Sequence, residues 1–145
     1  MQVYEYRFTR HLIGEAGPNV SLPREAYEAV RPLFTGAETE RLVVLLLNTK
    51  NRPIGAETVY TGNVSASVVR VGELFRSAVR LNASGIILAH NHPSNDPNPS
   101  PDDLHLTAEV VAAGRLLDIA VLDHLVVTDD AYISLRDRGV AFEQR

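Results

Sequence analysis

The fold class is decided by residues 85–127, GIILAHNHPSNDPNPSPDDLHLTAEVVAAGRLLDIAVLDHLVV. The stretch begins with a short apolar run at 85–89, which is typical of a buried strand. After a proline-rich loop, the sequence predicts a helix over 101–117 and a further strand over 119–127. This alternation of buried strands and helices predicts an α/β or α+β fold, in which helices pack on a sheet.

The same alternation continues upstream of this stretch. The apolar run LVVLLL at 42–47 predicts a central strand buried on both faces, and residues 54–60 predict a neighbouring strand. Helices are predicted from about residue 22 to residue 36 and over 72–82. A first strand is predicted over 2–8 because these residues are rich in β-formers.

The 145 residues suit a single domain over 1–145, with residues 1–20 as an N-terminal strand and loop extension. The absence of cysteine excludes disulfides, thiol catalysis and Cys-ligated zinc. No apolar run reaches the roughly 18 to 20 residues that cross a bilayer, and no signal-type stretch opens the chain. We therefore expect a cytoplasmic protein with no membrane partner.

The residues that carry chemistry follow the strand at 85–89. His90 and His92 are two residues apart, so both imidazoles point to the same side at the end of a strand. Asp103 follows in the first turn of the next helix and supplies a carboxylate. Three protein ligands leave a position for water, which is the arrangement of a catalytic zinc site. The prolines of the intervening loop hold such a geometry still.

Other interpretations of these residues remain open at this point. Ser100 and Asp103 form an S-x-x-D pattern, so Ser100 serves equally well as the cap of the helix. The two histidines could be solvent-facing loop residues. A catalytic zinc site also needs a carboxylate base, and position alone does not choose among Glu38, Glu40 and Glu57.

The pattern Glu40 … His90-Asn-His92-Pro93 … Ser100-Pro-Asp-Asp103 resembles the JAMM motif of the MPN/JAB metalloprotease superfamily. The segments at 46–55, 81–104 and 113–127 look like the RadC branch of that superfamily. The likeness covers residues 22–138. Full-length RadC proteins begin with a helix-hairpin-helix region, and residues 1–20 leave no room for one, so we expect a stand-alone domain.

The resemblance implies a JAB/MPN fold: a mixed β-sheet flanked by helices, with cytidine-deaminase-like layering. It implies a Zn²⁺ ion held by His90, His92 and Asp103. It selects Glu40 as the catalytic base, because that glutamate precedes the first central strand. It also gives Ser100 a hydrogen bond to the water molecule or to the developing oxyanion.

These implications predict a JAMM-type zinc metalloprotease or related hydrolase that acts on a peptide or protein-conjugate substrate. The alternatives are a RadC-type accessory protein in DNA repair or processing, and a catalytically silent MPN scaffold. The net charge of −4 argues against nucleic acid as a partner, and the complete motif argues against a scaffold. An exposed edge strand at 2–8 would permit a homodimer.

Two further histidines receive other predictions. His105 is two residues past Asp103, about 200° around the helix, so we expect it on the surface or supporting the site from outside. His124 lies in an apolar strand, where we expect a structural hydrogen bond rather than metal ligation.

Overall fold

The computed structural model describes residues 1–5, 7, 17–65 and 67–142. These contain three α-helices, one 3₁₀ turn and five strands. The helices are α1 (Pro23–Val30), α2 (Val71–Leu81) and α3 (Pro101–Leu117), with the 3₁₀ turn at Arg31–Phe34. The strands are β1 (Glu40–Leu47), β2 (Pro53–Gly62), β3 (Gly85–Asn91), β4 (Ala120–Val127) and β5 (Tyr132–Ser134).

Most of the predicted elements are confirmed. The predicted strands at 42–47, 54–60, 85–89 and 119–127 correspond to β1, β2, β3 and β4, and the helices at 72–82 and 101–117 correspond to α2 and α3.

The first predicted helix is shorter than expected. Its α-helical part ends at Val30, and the chain continues as the 3₁₀ turn. Pro32 has no N–H to donate to the preceding turn, which explains the change of helix type.

The strand predicted over 2–8 is not found in the described part of that segment. Residues 1–5 and 7 belong to no strand, and residues 6 and 8 lie outside the described residues. The sheet that the described residues form has the order β2-β1-β3-β4-β5, and none of these strands comes from this segment. A β-rich composition without a partner strand leaves the backbone unpaired.

The five strands form one mixed sheet. β1 pairs antiparallel with β2 and β3, β4 pairs antiparallel with β5, and β3 and β4 are parallel. The parallel pair requires a crossover, and α3 supplies it. This architecture is of the α/β class and agrees with the predicted mixed sheet flanked by helices.

The central strands β1 and β3 are buried on both faces, which explains why the sequence of β1 is almost continuously apolar. Leu42, Val44 and Leu46 pack in the core on the side of α2 and α3. The intervening Val43, Leu45 and Leu47 pack in the core on the side of α1. Helices therefore cover both faces of the sheet. None of the helices in the described ranges combines the length and apolarity that a bilayer crossing requires.

Candidate metal centre

The candidate site lies at the carboxyl end of β3, where the chain enters the crossover to β4. His90 is opposite Leu42 in the β1–β3 register, and His92 follows directly after the strand. Ile86 and Leu88 share the parity of His90 and pack toward α2 and α3, so His90 also faces the helix that carries Asp103. Strand end and helix start thus bring residues together that are eleven positions apart.

Three side chains meet at this point. His90 Nε2 lies 3.0 Å from Asp103 Oδ1, and His92 Nε2 lies 3.1 Å from Asp103 Oδ2. The two Nε2 atoms are 3.0 Å apart. These three residues form a cluster of the kind that could hold a metal ion. His90 and Asp103 are buried, and His92 is half-buried.

The hydrogen bonds of His92 show that this donor set fits a cation. His92 Nδ1 lies 2.8 Å from the carbonyl oxygen of Asp96, which can only accept, so Nδ1 carries the hydrogen. In the neutral ring, Nε2 then has a bare lone pair that faces the carboxylate of Asp103 at 3.1 Å. Lone pairs facing each other at this distance repel unless a proton or a metal ion lies between them. The residues therefore fit a metal ion.

The electrostatics of the metal-free site follow the same logic. The hydrogen bond to Asp103 raises the pKa of His92 above its usual value of 6.5, although burial acts in the opposite direction. Burial by itself would raise the pKa of Asp103, but the hydrogen bonds to His90 and His92 outweigh it and hold that pKa well below its usual range. The lowered pKa therefore keeps the aspartate ionised at neutral pH in the metal-free site.

The structure separates the three glutamates considered as a base. Glu40 begins β1, and extending the β1–β3 register by two residues places it opposite His92. The charge of Glu40 is one of the causes that raise the pKa of His92. Glu57 instead accepts a hydrogen bond from Ser77 at 2.9 Å, and Glu38 is exposed. Of these three glutamates, Glu40 is the one that lies next to His92.

The amide of Asn91 holds the start of β1 in place. Its Nδ2 donates to the carbonyl oxygen of Thr39 at 3.1 Å, and its Oδ1 accepts from the N–H of Arg41 at 2.6 Å. These are the two neighbours of Glu40 in the chain. Asn91 therefore ties the backbone around Glu40 to the segment that carries both histidines.

Ser100 caps α3, as its S-x-x-D pattern allowed. Its Oγ accepts the N–H of Asp103 at 3.1 Å, and its own N–H donates to Asp103 Oδ2 at 2.8 Å. Asp103 therefore has two structural tasks: it closes the cap of α3 and it faces the histidines. The positive end of the helix also favours its negative charge.

The structural hydrogen bond predicted for His124 is present. Its ring is fully buried and lies between Thr107 and His90, with Nε2 at 2.8 Å from His90 Nδ1. Burial lowers the pKa of His124 well below 6.5, so its imidazole is neutral. His105 is on the surface, where it pairs with Glu109 at 3.2 Å.

Two residues of the site carry no signal in the linear sequence. Asn91 occupies the variable position between the histidines, and Thr107 is one polar residue within the apolar face of α3. Thr107 follows Asp103 by one helical turn, a spacing that puts both residues on one face of α3. Its partner on β4 is visible only in the fold.

A groove of about 320 Å³ opens beside His92. It is lined by residues at the end of β3 and by the segment after α1, among them Arg31, Phe34, Asn91 and Pro93. A second cavity, of about 480 Å³, lies where β4 begins and is lined by none of the predicted site residues. Of the three cluster residues, His92 alone lines the first of these two cavities, and none lines the second.

Comparison with known proteins places this architecture in a family. A family model described as a RadC-like JAB domain matches residues 20–140. A UPF0758 protein of Roseiflexus castenholzii is 46% identical over 129 residues, which are 89% of this chain and 55% of the relative. A UPF0758 protein of Chloroflexus aggregans is 50% identical over 137 residues, which are 94% of this chain and 59% of the relative.

A more distant relative is the UPF0758 protein of Methanosarcina mazei, which is 37% identical over 127 residues, or 88% of this chain and 56% of the relative. The chain thus spans little more than half the length of the curated relatives it matches. The family model covers the whole sheet and every residue of the histidine cluster. The chain belongs to the RadC-like JAB domain family.

Proposed function

We propose that this chain is a zinc-dependent hydrolase that cleaves peptide or isopeptide bonds. The observation that carries the proposal is the convergence of His90 Nε2, His92 Nε2 and the Asp103 carboxylate within 3.0 to 3.1 Å of one another. Family membership supports the class of reaction, because the JAB superfamily includes metalloproteases.

The donor set favours zinc over other metals. Two imidazole nitrogens and one carboxylate oxygen are ligands that Zn²⁺ takes readily, whereas Mg²⁺ and Ca²⁺ prefer oxygen ligands alone. Three protein ligands, rather than four, are typical of catalytic zinc. Zinc, when bound, supplies a Lewis acid that polarises a carbonyl group and lowers the pKa of water.

Glu40 serves as the general base in this proposal. Its register position opposite His92 puts a carboxylate on the side of the sheet that faces the cluster. The two hydrogen bonds from the Asn91 side chain to the backbone on either side of Glu40 limit how far that backbone can move. Glu40 takes a proton from the attacking water and later delivers it to the departing amine.

Ser100 stabilises the negative charge that develops on the carbonyl oxygen of the substrate. Its Oγ uses a lone pair to accept the N–H of Asp103, so its own hydrogen is not consumed by the cap. That O–H is the donor we assign to the oxyanion. Capping and catalysis are therefore compatible in one hydroxyl group.

The proposed substrate is a polypeptide or a protein conjugate. The groove beside His92 has a volume of about 320 Å³, which suits a few residues of extended chain rather than a whole domain. A substrate bound there would lie against His92, the cluster residue that lines the groove.

Metal content is the first test. We expect about one zinc per chain by elemental analysis after dialysis against a weak chelator, and we expect His92→Ala to lose it. His105→Ala is the matched control, because His105 is exposed and pairs with Glu109 away from the cluster. Stoichiometric zinc in His92→Ala would show that the metal binds elsewhere.

Hydrolysis is the second test, with a library of fluorescence-quenched peptides and lysine-linked isopeptides as probes. Glu40→Gln should retain zinc and reduce the rate by roughly 10² to 10⁴, because the amide cannot accept a proton. Glu38→Gln, two residues away and exposed, should keep the rate. No cleavage of any probe by the zinc-loaded wild type, or a normal rate in Glu40→Gln, would contradict the proposal.

A further inference from the structure

A line of hydrogen bonds connects α3, β4 and β3 behind the histidine cluster. Thr107 Oγ1 lies 2.6 Å from the carbonyl oxygen of Asp103 and 2.5 Å from His124 Nδ1. His124 Nε2 lies 2.8 Å from His90 Nδ1. The line therefore ends on the ring nitrogen of His90 that points away from His92 and Asp103.

The hydrogen bond between Thr107 and the carbonyl oxygen of Asp103 fixes the direction of the next hydrogen bond in this line. A carbonyl oxygen can only accept, so the hydrogen between it and Thr107 is the single hydroxyl hydrogen of Thr107. Thr107 Oγ1 must then accept from His124, which places a hydrogen on His124 Nδ1.

The same reasoning carries through the ring of His124. The ring is fully buried, with both nitrogens engaged by Thr107 and His90, and such an environment excludes the charged imidazolium. Its Nε2 is therefore a bare acceptor, and the hydrogen between the two rings belongs to His90 Nδ1. His90 Nε2 is left with a lone pair directed at the cluster.

We infer that Thr107 and His124 are positioning residues of the metal centre, which hold His90 in the tautomer whose Nε2 can bind a metal ion. The inference rests on the proposed function, because it assigns the Nε2 lone pair of His90 to the metal. His92 reaches the same tautomer through one backbone carbonyl, that of Asp96. In the described part of the chain, the partner of His90 Nδ1 is the ring of His124 rather than a carbonyl group, so His90 depends on two side chains from other elements.

Replacing the hydroxyl of Thr107 exchanges donor and acceptor in the hydrogen bond between His124 and His90. In Thr107→Val, a methyl group faces His124 Nδ1, and a hydrogen there has no acceptor. The other tautomer of His124 avoids this by carrying its hydrogen on Nε2, which then donates to His90 Nδ1. That change moves the hydrogen of His90 to Nε2, the atom that the metal requires. Thr107→Ser keeps the hydroxyl and is the matched control.

The test combines ring-nitrogen NMR of the metal-free, ¹⁵N-labelled protein with zinc affinity measured by competition against a chromophoric chelator. In the wild type and Thr107→Ser, we expect hydrogens on Nδ1 of His90 and His124 and bare Nε2 atoms. In Thr107→Val, we expect His90 to carry its hydrogen on Nε2 and zinc affinity to fall roughly 10- to 100-fold, as for other groups that orient a metal ligand.

Two results would overturn the inference. The first is a hydrogen on His90 Nε2 in the wild type at a pH where the ring is neutral, and this measurement does not depend on any variant folding. The second is a folded Thr107→Val protein with the wild-type tautomers and zinc affinity. A wild type that shows the expected tautomers but binds no zinc would contradict the proposed function, while the tautomer assignment would stand on the NMR result.

Discussion

Substitution of Gly114 by alanine is a demanding test of how α3 packs on the sheet. Gly114 lies in the last part of α3, buried against β4 and the residue before it. A Cβ atom built there would lie 2.5 Å from the carbonyl oxygen of Ile119 and 2.7 Å from Val121 Cγ2. Favourable contacts between heavy atoms lie near 3.5 to 4.0 Å, so α3 would have to move by about 1 Å.

Two opposing effects decide the sign of the change in stability. Alanine is the better helix former, which favours the variant by about 1 kcal/mol. Overpacking typically costs about 1 to 3 kcal/mol, and here the closest atom is a backbone oxygen that cannot rotate away. We expect overpacking to exceed the propensity gain, with a net loss of about 1 to 2 kcal/mol in the free energy of unfolding.

The assay is urea unfolding of the metal-free protein, followed by circular dichroism. Gly72→Ala is the matched control, because Gly72 lies in α2 and a Cβ atom there would meet nothing within 4 Å. It should be neutral or stabilising by up to about 1 kcal/mol. A Gly114→Ala protein at least as stable as the wild type would refute the packing of α3 described above.

Four other predictions concern the helix cap, the core, a buried carboxylate and nucleic acid. Ser100→Ala removes the acceptor for the N–H of Asp103, so the free energy of unfolding should fall by about 1 kcal/mol; an unchanged urea midpoint would mean that the cap does not stabilise α3. Leu88→Ala should cost about 2 to 5 kcal/mol, because the side chain is fully buried in the centre of the sheet; a loss below about 1 kcal/mol would contradict that burial. Burial raises the pKa of Asp123 above its usual 3.8, so the folded protein takes up this proton first as the pH falls. The stability of the wild type relative to Asp123→Asn, measured in chelator, should therefore increase as the pH falls through the raised pKa and level off below about 3.8; a difference independent of pH would refute the shift. Affinity for DNA, measured by fluorescence anisotropy, should be weak and steeply dependent on salt; a sub-micromolar dissociation constant at ~150 mM salt would favour the DNA-processing alternative.

The elements of this fold were predictable because their signals are local. The apolar runs that became β1 and β3, and the helix of α3 with its Ser100 cap, depend on residues only a few positions apart. The spacing of His90 and His92 is also a local signal, since alternate residues of a strand share a side. Composition alone was insufficient at residues 2–8, because a strand also needs a partner along its edge.

The site required the tertiary structure wherever two distant segments meet. Position in the sequence left Glu38, Glu40 and Glu57 equivalent, and only the family resemblance favoured Glu40. The antiparallel register of β1 and β3 gives the physical reason, because it puts Glu40 opposite His92. The contact between His124 and His90 depends in the same way on the parallel pairing of β3 with β4.

Strand order and register depend on which faces of the strands are buried against the helices. A short segment of sequence does not show which distant segments will pack together. The sequence by itself therefore determined which side chains could bind a metal ion. The fold decided which other side chains orient them, because Thr107 and His124 come within hydrogen-bonding distance only when α3 packs against β4.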